Sequence, residues 1–172
     1  ETNLLSGEEL IRGFAETVAK NGNLLLNVGP TRDGLLHPRE TSRLEALGEW
    51  LQTNSEAIYG TRPWKTFGSS PQAGKSGAKG TSDHHVESAF NEKDRKDLGA
   101  RDVRYVQKGG SLFAFSMGWG EGRAVFPELG TASAQKPGKI TNVSLLGHKA
   151  AVKWTQGPEG LEVGLGDPGD GY

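Results

Sequence analysis

Few side chains in this sequence have the types and spacing that carry out chemistry. Asp33 and Glu40 flank a loop that follows an apolar run, and paired carboxylates are a common means of general acid and base work. Each also has a plainer role. Asp33 precedes Gly34, the arrangement of a turn, and Glu40 falls in the first turn of a helical pattern, where a carboxylate answers the helix dipole. Asn27 is the better candidate, because it interrupts the apolar run at its carboxyl-terminal end. If that run is a strand of an α/β barrel, side chains there turn toward the mouth; the alternative is an amide bonded to loop backbone. Arg32 and His37 can reach the same mouth from the loop, or be solvated. Asn27 and Arg32 are therefore the binding candidates, and no residue is assigned a catalytic role.

The remaining candidates read as structure. His84-His85 invites a metal reading, but adjacent histidines with Asp83 and Glu87 nearby complete no recognisable ligand spacing. No metal and no cofactor is expected. Trp64, Trp119 and Trp154 could stack on sugar rings, although large aromatics at strand spacing usually belong to a core. The glycine pairs, such as Gly109-Gly110, lack the following helix and lysine of a phosphate loop and read as turns.

The elements that must position these residues divide near residue 60. Ser6-Gly7-Glu8-Glu9 is a capping box. Leu10, Ile11, Phe14 and Val18 follow at helical spacing, Arg12, Glu16 and Lys20 point elsewhere, and Asn21-Gly22 ends the helix. Leu24, Leu25, Leu26 and Val28 then form a nearly continuous apolar run, which suits a strand covered on both faces in a parallel sheet. After the Gly29-Pro30 and Asp33-Gly34 turns, Pro38 opens a second helix with Leu44, Leu47, Gly48 and Leu51 on one stripe, fading by Asn54. One parallel strand needs neighbours on both edges, so the rest of an α/β barrel or open sheet is expected upstream or from another chain. The start at Glu1 without a leader favours the reading that this is a piece of something longer.

Residues 55 to 68 read as an aromatic connector, and residues 69 to 100 as a long polar loop anchored at most by Val86, Phe90 and Leu98. From Arg101 the period changes to two. Val103 and Tyr105 alternate with Arg104, Gly109-Gly110 turns the chain, and Leu112 to Met117 returns. Strands are expected at Ala124 to Phe126, Ile140 to Leu146, Val152 to Thr155 and Leu161 to Leu165, followed by a tail, as in a small antiparallel sandwich. The domains are thus residues 1–60, a connector over 61–100 and a sandwich over 101–172.

Composition narrows the function classes. With 20 Lys and Arg against 21 Asp and Glu, the net charge of −1 gives no electrostatic reason for nucleic acid or an anionic membrane as partner. No apolar run is long enough to span a bilayer as a helix. The absence of cysteine excludes disulfides and thiolate metal sites and leaves the compartment open.

The run Asn21-Gly22-Asn23-Leu24-Leu25-Leu26-Asn27-Val28-Gly29-Pro30, then Asp33-Gly34, Gly48-Glu49-Trp50-Leu51, and Glu56-Ala57-Ile58-Tyr59-Gly60-Thr61-Arg62-Pro63-Trp64, resembles the end of the catalytic barrel of the α-L-fucosidases. Asp102-Val103-Arg104-Tyr105, Gly118-Trp119, Ile140 to Gly147 and Trp154 resemble the β-sandwich that follows it. Gly120 stands where the family often has proline. The fold class implied is α/β plus all-β: the last helix-strand-helix portion of a (β/α)8-like barrel, then the sandwich. The resemblance further implies removal of fucose from glycans by a retaining double displacement. That chemistry needs two carboxyl groups about 5 Å apart, and the family's positions for them lie on earlier strands, outside this chain. The implied partners are a fucosylated glycan or glycoside and the upstream barrel portion, in cis or in trans, with self-association into a homo-oligomer also compatible. A secreted, periplasmic or lysosomal location is implied by the resemblance alone. The alternative function is a non-catalytic module that binds carbohydrate or mediates assembly.

Overall fold

The structure, a computed structural model, describes residues 5–70 and 98–166. The expected histidine pair, Val86, Phe90 and the expected tail lie outside the described residues.

The two helices form where expected. Helix α1 spans Gly7–Ala19 and begins with the full capping box: Ser6 Oγ accepts from Glu9 N at 3.1 Å while the Glu9 carboxylate accepts from Ser6 N at 2.5 Å. It ends in a Schellman turn, with Gly22 N donating to Thr17 O at 2.8 Å and Asn21 N to Val18 O at 3.0 Å, and with Asn21 in the left-handed region at φ 59°. Helix α2, Pro38–Asn54, starts with proline and takes His37 as its N-cap, the imidazole accepting from Arg39 N at 3.2 Å. Edge-on contact between Phe14 and Trp50, 6.4 Å between centroids, joins the two helices.

The sandwich consists of two three-stranded antiparallel sheets. The first has the order β1 (Arg62–Ser69), β2 (Val103–Lys108), β3 (Ser111–Ser116); the second has β4 (Arg123–Phe126), β6 (Leu161–Gly164), β5 (Trp154–Gln156). Gly109-Gly110 makes the expected two-residue hairpin loop, closed by the Lys108 and Ser111 pair. Val103 and Tyr105 of β2 meet Ala124, Phe126, Leu161 and Val163 of the second sheet in one core. The second sheet alternates buried and exposed residues, as in Leu161, Glu162 and Val163, and so has one wet face. The first sheet does not. Val103, Arg104, Tyr105 and Val106 are all buried, because β2 is the central strand, the second sheet covers one face and the helical layer covers the other.

Three expectations are corrected. Residues 24 to 28 are not a buried strand: no ladder involves them, and Leu24, Leu25 and Leu26 are 43%, 93% and 37% exposed. A strand exists only through its neighbours, and among the described residues none lies alongside; the nearest pairing is the single bridge between Pro30 and Leu36. Second, the latter half of the aromatic connector, from Arg62, is strand β1, which pairs with β2 across a bulge between Pro63 and Gly68. Third, Ile140 to Leu146 joins neither sheet. Ile140, Val143 and Leu145 still pack on the core. The Gln156 side chain takes the place of a ladder partner, its oxygen accepting from Ile140 N at 3.0 Å and its nitrogen donating to Leu129 O and Gly138 O at 2.9 Å each. Gly120 has φ +59°, a conformation closed to proline.

Candidate functional site

The segment after α1 determines the shape of the site. The Schellman turn sends the chain straight from α1 into residues 24 to 28, and the Pro38 start of α2 brings the second helix back alongside. Between α1, α2 and this segment lies a cavity of about 450 Å3. Its wall is mostly apolar, with Leu10, Phe14, Leu24 and Leu44 among its residues, and its polar groups are Glu16, Thr17, Asn27, Glu40 and Arg43.

Asn27 is exposed and lines this cavity. Arg32 does not: it is exposed in the turn from Thr31 to Gly34, which Gly34 N closes by donating to Thr31 O at 2.9 Å. The structure therefore does not bring the two binding candidates to one wall. Asp33 sits in the same turn, in the plain role its Gly34 neighbour suggests. His37 serves the helix as its cap. Glu40 stands in the first turn of α2, and its Oε1 also accepts from Gly29 N at 3.4 Å, tying the helix to the residue two places after Asn27. Its other oxygen is buried with no hydrogen-bond partner among the described residues.

The polar joint behind the cavity escaped the sequence reading. Glu16 sits between Lys20 Nζ and Arg104 Nη2, each 2.8 Å from its Oε1. Burial pushes the Glu16 carboxyl up, but the hydrogen bonds and charges of Lys20 and Arg104 outweigh it and hold the group below the usual carboxylate value. In the sandwich, Tyr105 donates to Glu128 Oε2 at 2.8 Å. Burial first, then that bond and the Glu128 charge, push its phenol far above the ordinary range. The only sequence signal for the joint is the spacing of Glu16 and Lys20 on one helical row; nothing local marks Arg104 as its partner.

The tryptophans belong to the core. Trp64 meets Tyr105 edge-on at 5.4 Å, Trp154 packs on the same cluster, and Trp119 is half-buried against it with Nε1 donating to Gly166 O at 3.1 Å. Among the described residues no three His, Asp or Glu side chains are grouped to hold a metal ion, and no helix is long and apolar enough to cross a membrane. The cavity's two carboxylates, Glu16 and Glu40, are engaged by Arg104 and Lys20 and by Gly29 N.

The sequence model of the family described as Alpha-L-fucosidase matches residues 1–56, and that of the Alpha-L-fucosidase C-terminal domain matches residues 95–168. Tissue alpha-L-fucosidase of Mus musculus is 32% identical over 160 residues, which is 91% of this chain and 28% of that protein. Alpha-L-fucosidase of Branchiostoma floridae is 31% identical over 152 residues, 87% of this chain and 26% of that protein. The solved structure of alpha-L-fucosidase isoenzyme 1 from Paenibacillus thiaminolyticus superposes with a TM-score of 0.63 at 24% identity, covering 99% of this chain and 32% of that one, a likeness of fold. The chain thus spans about a quarter to a third of the length of the relatives it matches. With both family models matched in chain order, on either side of the strand that opens the sandwich, the chain belongs to the α-L-fucosidase family.

Proposed function

We propose that this chain is the carboxyl-terminal portion of an α-L-fucosidase-like glycoside hydrolase, which removes fucose from glycans by a retaining double displacement. In this reading residues 24 to 28 are a barrel strand awaiting its neighbours, and the helices on either side are the last two of a (β/α)8-like barrel. The two catalytic carboxyl groups come from the part of the relatives' length that this chain does not cover. Residues 1–60 are the barrel portion, and Asn27 contacts substrate at the barrel mouth. The observation that carries the reading is the apolar segment Leu24-Leu25-Leu26, without a ladder and largely exposed, within the stretch matched by the fucosidase model. Three leucines in that state cost free energy unless another element covers them.

The test is hydrolysis of an aryl α-L-fucoside by this chain alone and by the chain supplied with the remaining barrel, in cis or in trans. Turnover only in the second case is expected. Turnover by the isolated chain would overturn the placement of the catalytic groups, and none in either case would overturn the assignment of activity.

A further inference from the structure

Arg104 has a side chain only 3% exposed, although arginine is rarely buried unless paired. Its Nη1 donates to Val103 O at 2.8 Å and to Ser69 O at 3.2 Å, so the guanidinium is first fixed to its own sheet. Its Nη2 then reaches Glu16 Oε1 at 2.8 Å on α1. The Phe67 ring of β1 lies 5.6 Å from the Arg104 guanidinium and 5.1 Å from Lys20 Nζ, and Lys20 binds the same Glu16 oxygen. Two strands of the sandwich thus grip the last turn of α1 through one carboxylate. Five positions after α1 ends at Ala19 the chain reaches Leu24, and Glu16 and Thr17 line the cavity together with residues 24 to 28.

We propose that Arg104 is a positioning residue: through Glu16, the β-sandwich sets the place of α1 and so the direction in which residues 22 to 28 leave it. A buried ion pair adds little net stability, since desolvation offsets much of the attraction, but it is intolerant of displacement. An apolar contact would allow α1 to slide along the sheet with gradual loss of area. The pair does not, because moving α1 leaves a buried charge without its partner. The sandwich is then the mould for the segment that carries Asn27, and the joint holds whether or not the chain takes part in glycoside hydrolysis.

Amide hydrogen exchange on the full chain tests this with three variants, Arg104→Met, Arg104→Lys and Glu16→Gln. Arg104→Met is expected to speed exchange over residues 14 to 22 about tenfold or more, while amides of β4, β5 and β6 change less than about twofold. Arg104→Lys restores part of the protection, since the charge remains but the fork does not. An equal factor in every element would mean that Arg104 contributes only to global stability and would overturn the proposal, as would unchanged exchange in α1. Should Arg104→Met fail to fold, Glu16→Gln decides by the same two patterns, because it keeps the shape of the joint and removes only its negative charge.

Discussion

Glu16 of α1 and Arg104 of β2, 88 positions apart in the chain, meet at 2.8 Å on a single carboxylate oxygen that Lys20 also holds. This contact ties the helical part of the chain to the sandwich, and it gives stability a pH dependence. The Glu16 carboxyl lies below its usual value in the folded chain, so its contribution is complete above the unfolded value and is lost as pH falls through the folded one. The groups that face it are Lys20 from its own helix and Arg104 from β2. Urea unfolding should show stability falling below the ordinary carboxylate range. In Glu16→Ala that slope should flatten, with a loss of about 3 kcal/mol near neutral pH from the buried guanidinium left behind.

Tyr105 should behave in the opposite sense. Its phenol is pushed up by burial and by Glu128, so the stability it contributes is complete below the unfolded phenol value of about 10 and is lost as pH rises beyond it. Alkaline absorbance titration should show Tyr105 ionising only with unfolding. Tyr105→Phe should cost about 1 to 2 kcal/mol, because Glu128 loses its donor while the ring packing stays.

Gly68 is required by the bulge that lets β1 pair with β2. Its φ is +145°, and a Cβ there would sit 2.0 Å from Val103 O, inside the backbone of the neighbouring strand. Gly68→Ala should therefore cost more than about 4 kcal/mol. Denaturant melts followed by near-UV circular dichroism will show whether the Trp64 and Tyr105 pair loses its fixed geometry.

Asn27→Ala separates function from fold. The side chain is exposed, so the stability of this chain should change by less than about 0.5 kcal/mol. In the assembled hydrolase, fucoside turnover should fall about tenfold, the worth of one hydrogen bond to substrate. Equal turnover in the two forms would remove Asn27 from the pocket.

The sequence by itself determined the elements whose causes are local. The capping box at Ser6 and Glu9, the Asn21-Gly22 ending, Pro38 at the head of α2 and the Gly109-Gly110 hairpin are each closed by hydrogen bonds or backbone angles within a few residues, and each stands as read. Of the candidate site, the turn role of Asp33 was legible for the same reason. The tertiary structure decided the rest. Leu24 to Val28 has the composition of a buried strand, but pairing belongs to neighbours and not to composition, and Leu25 is 93% exposed. Arg62 to Ser69 looks like a connector until β2 lies beside it, while Ile140 to Leu146 looks like a strand until Gln156 takes up its amide. Arg104 occupies the outward place in an alternating pattern, which a solvated sheet would give to water. Here α1 covers that face, and only the meeting of two distant segments turns a surface arginine into a buried joint.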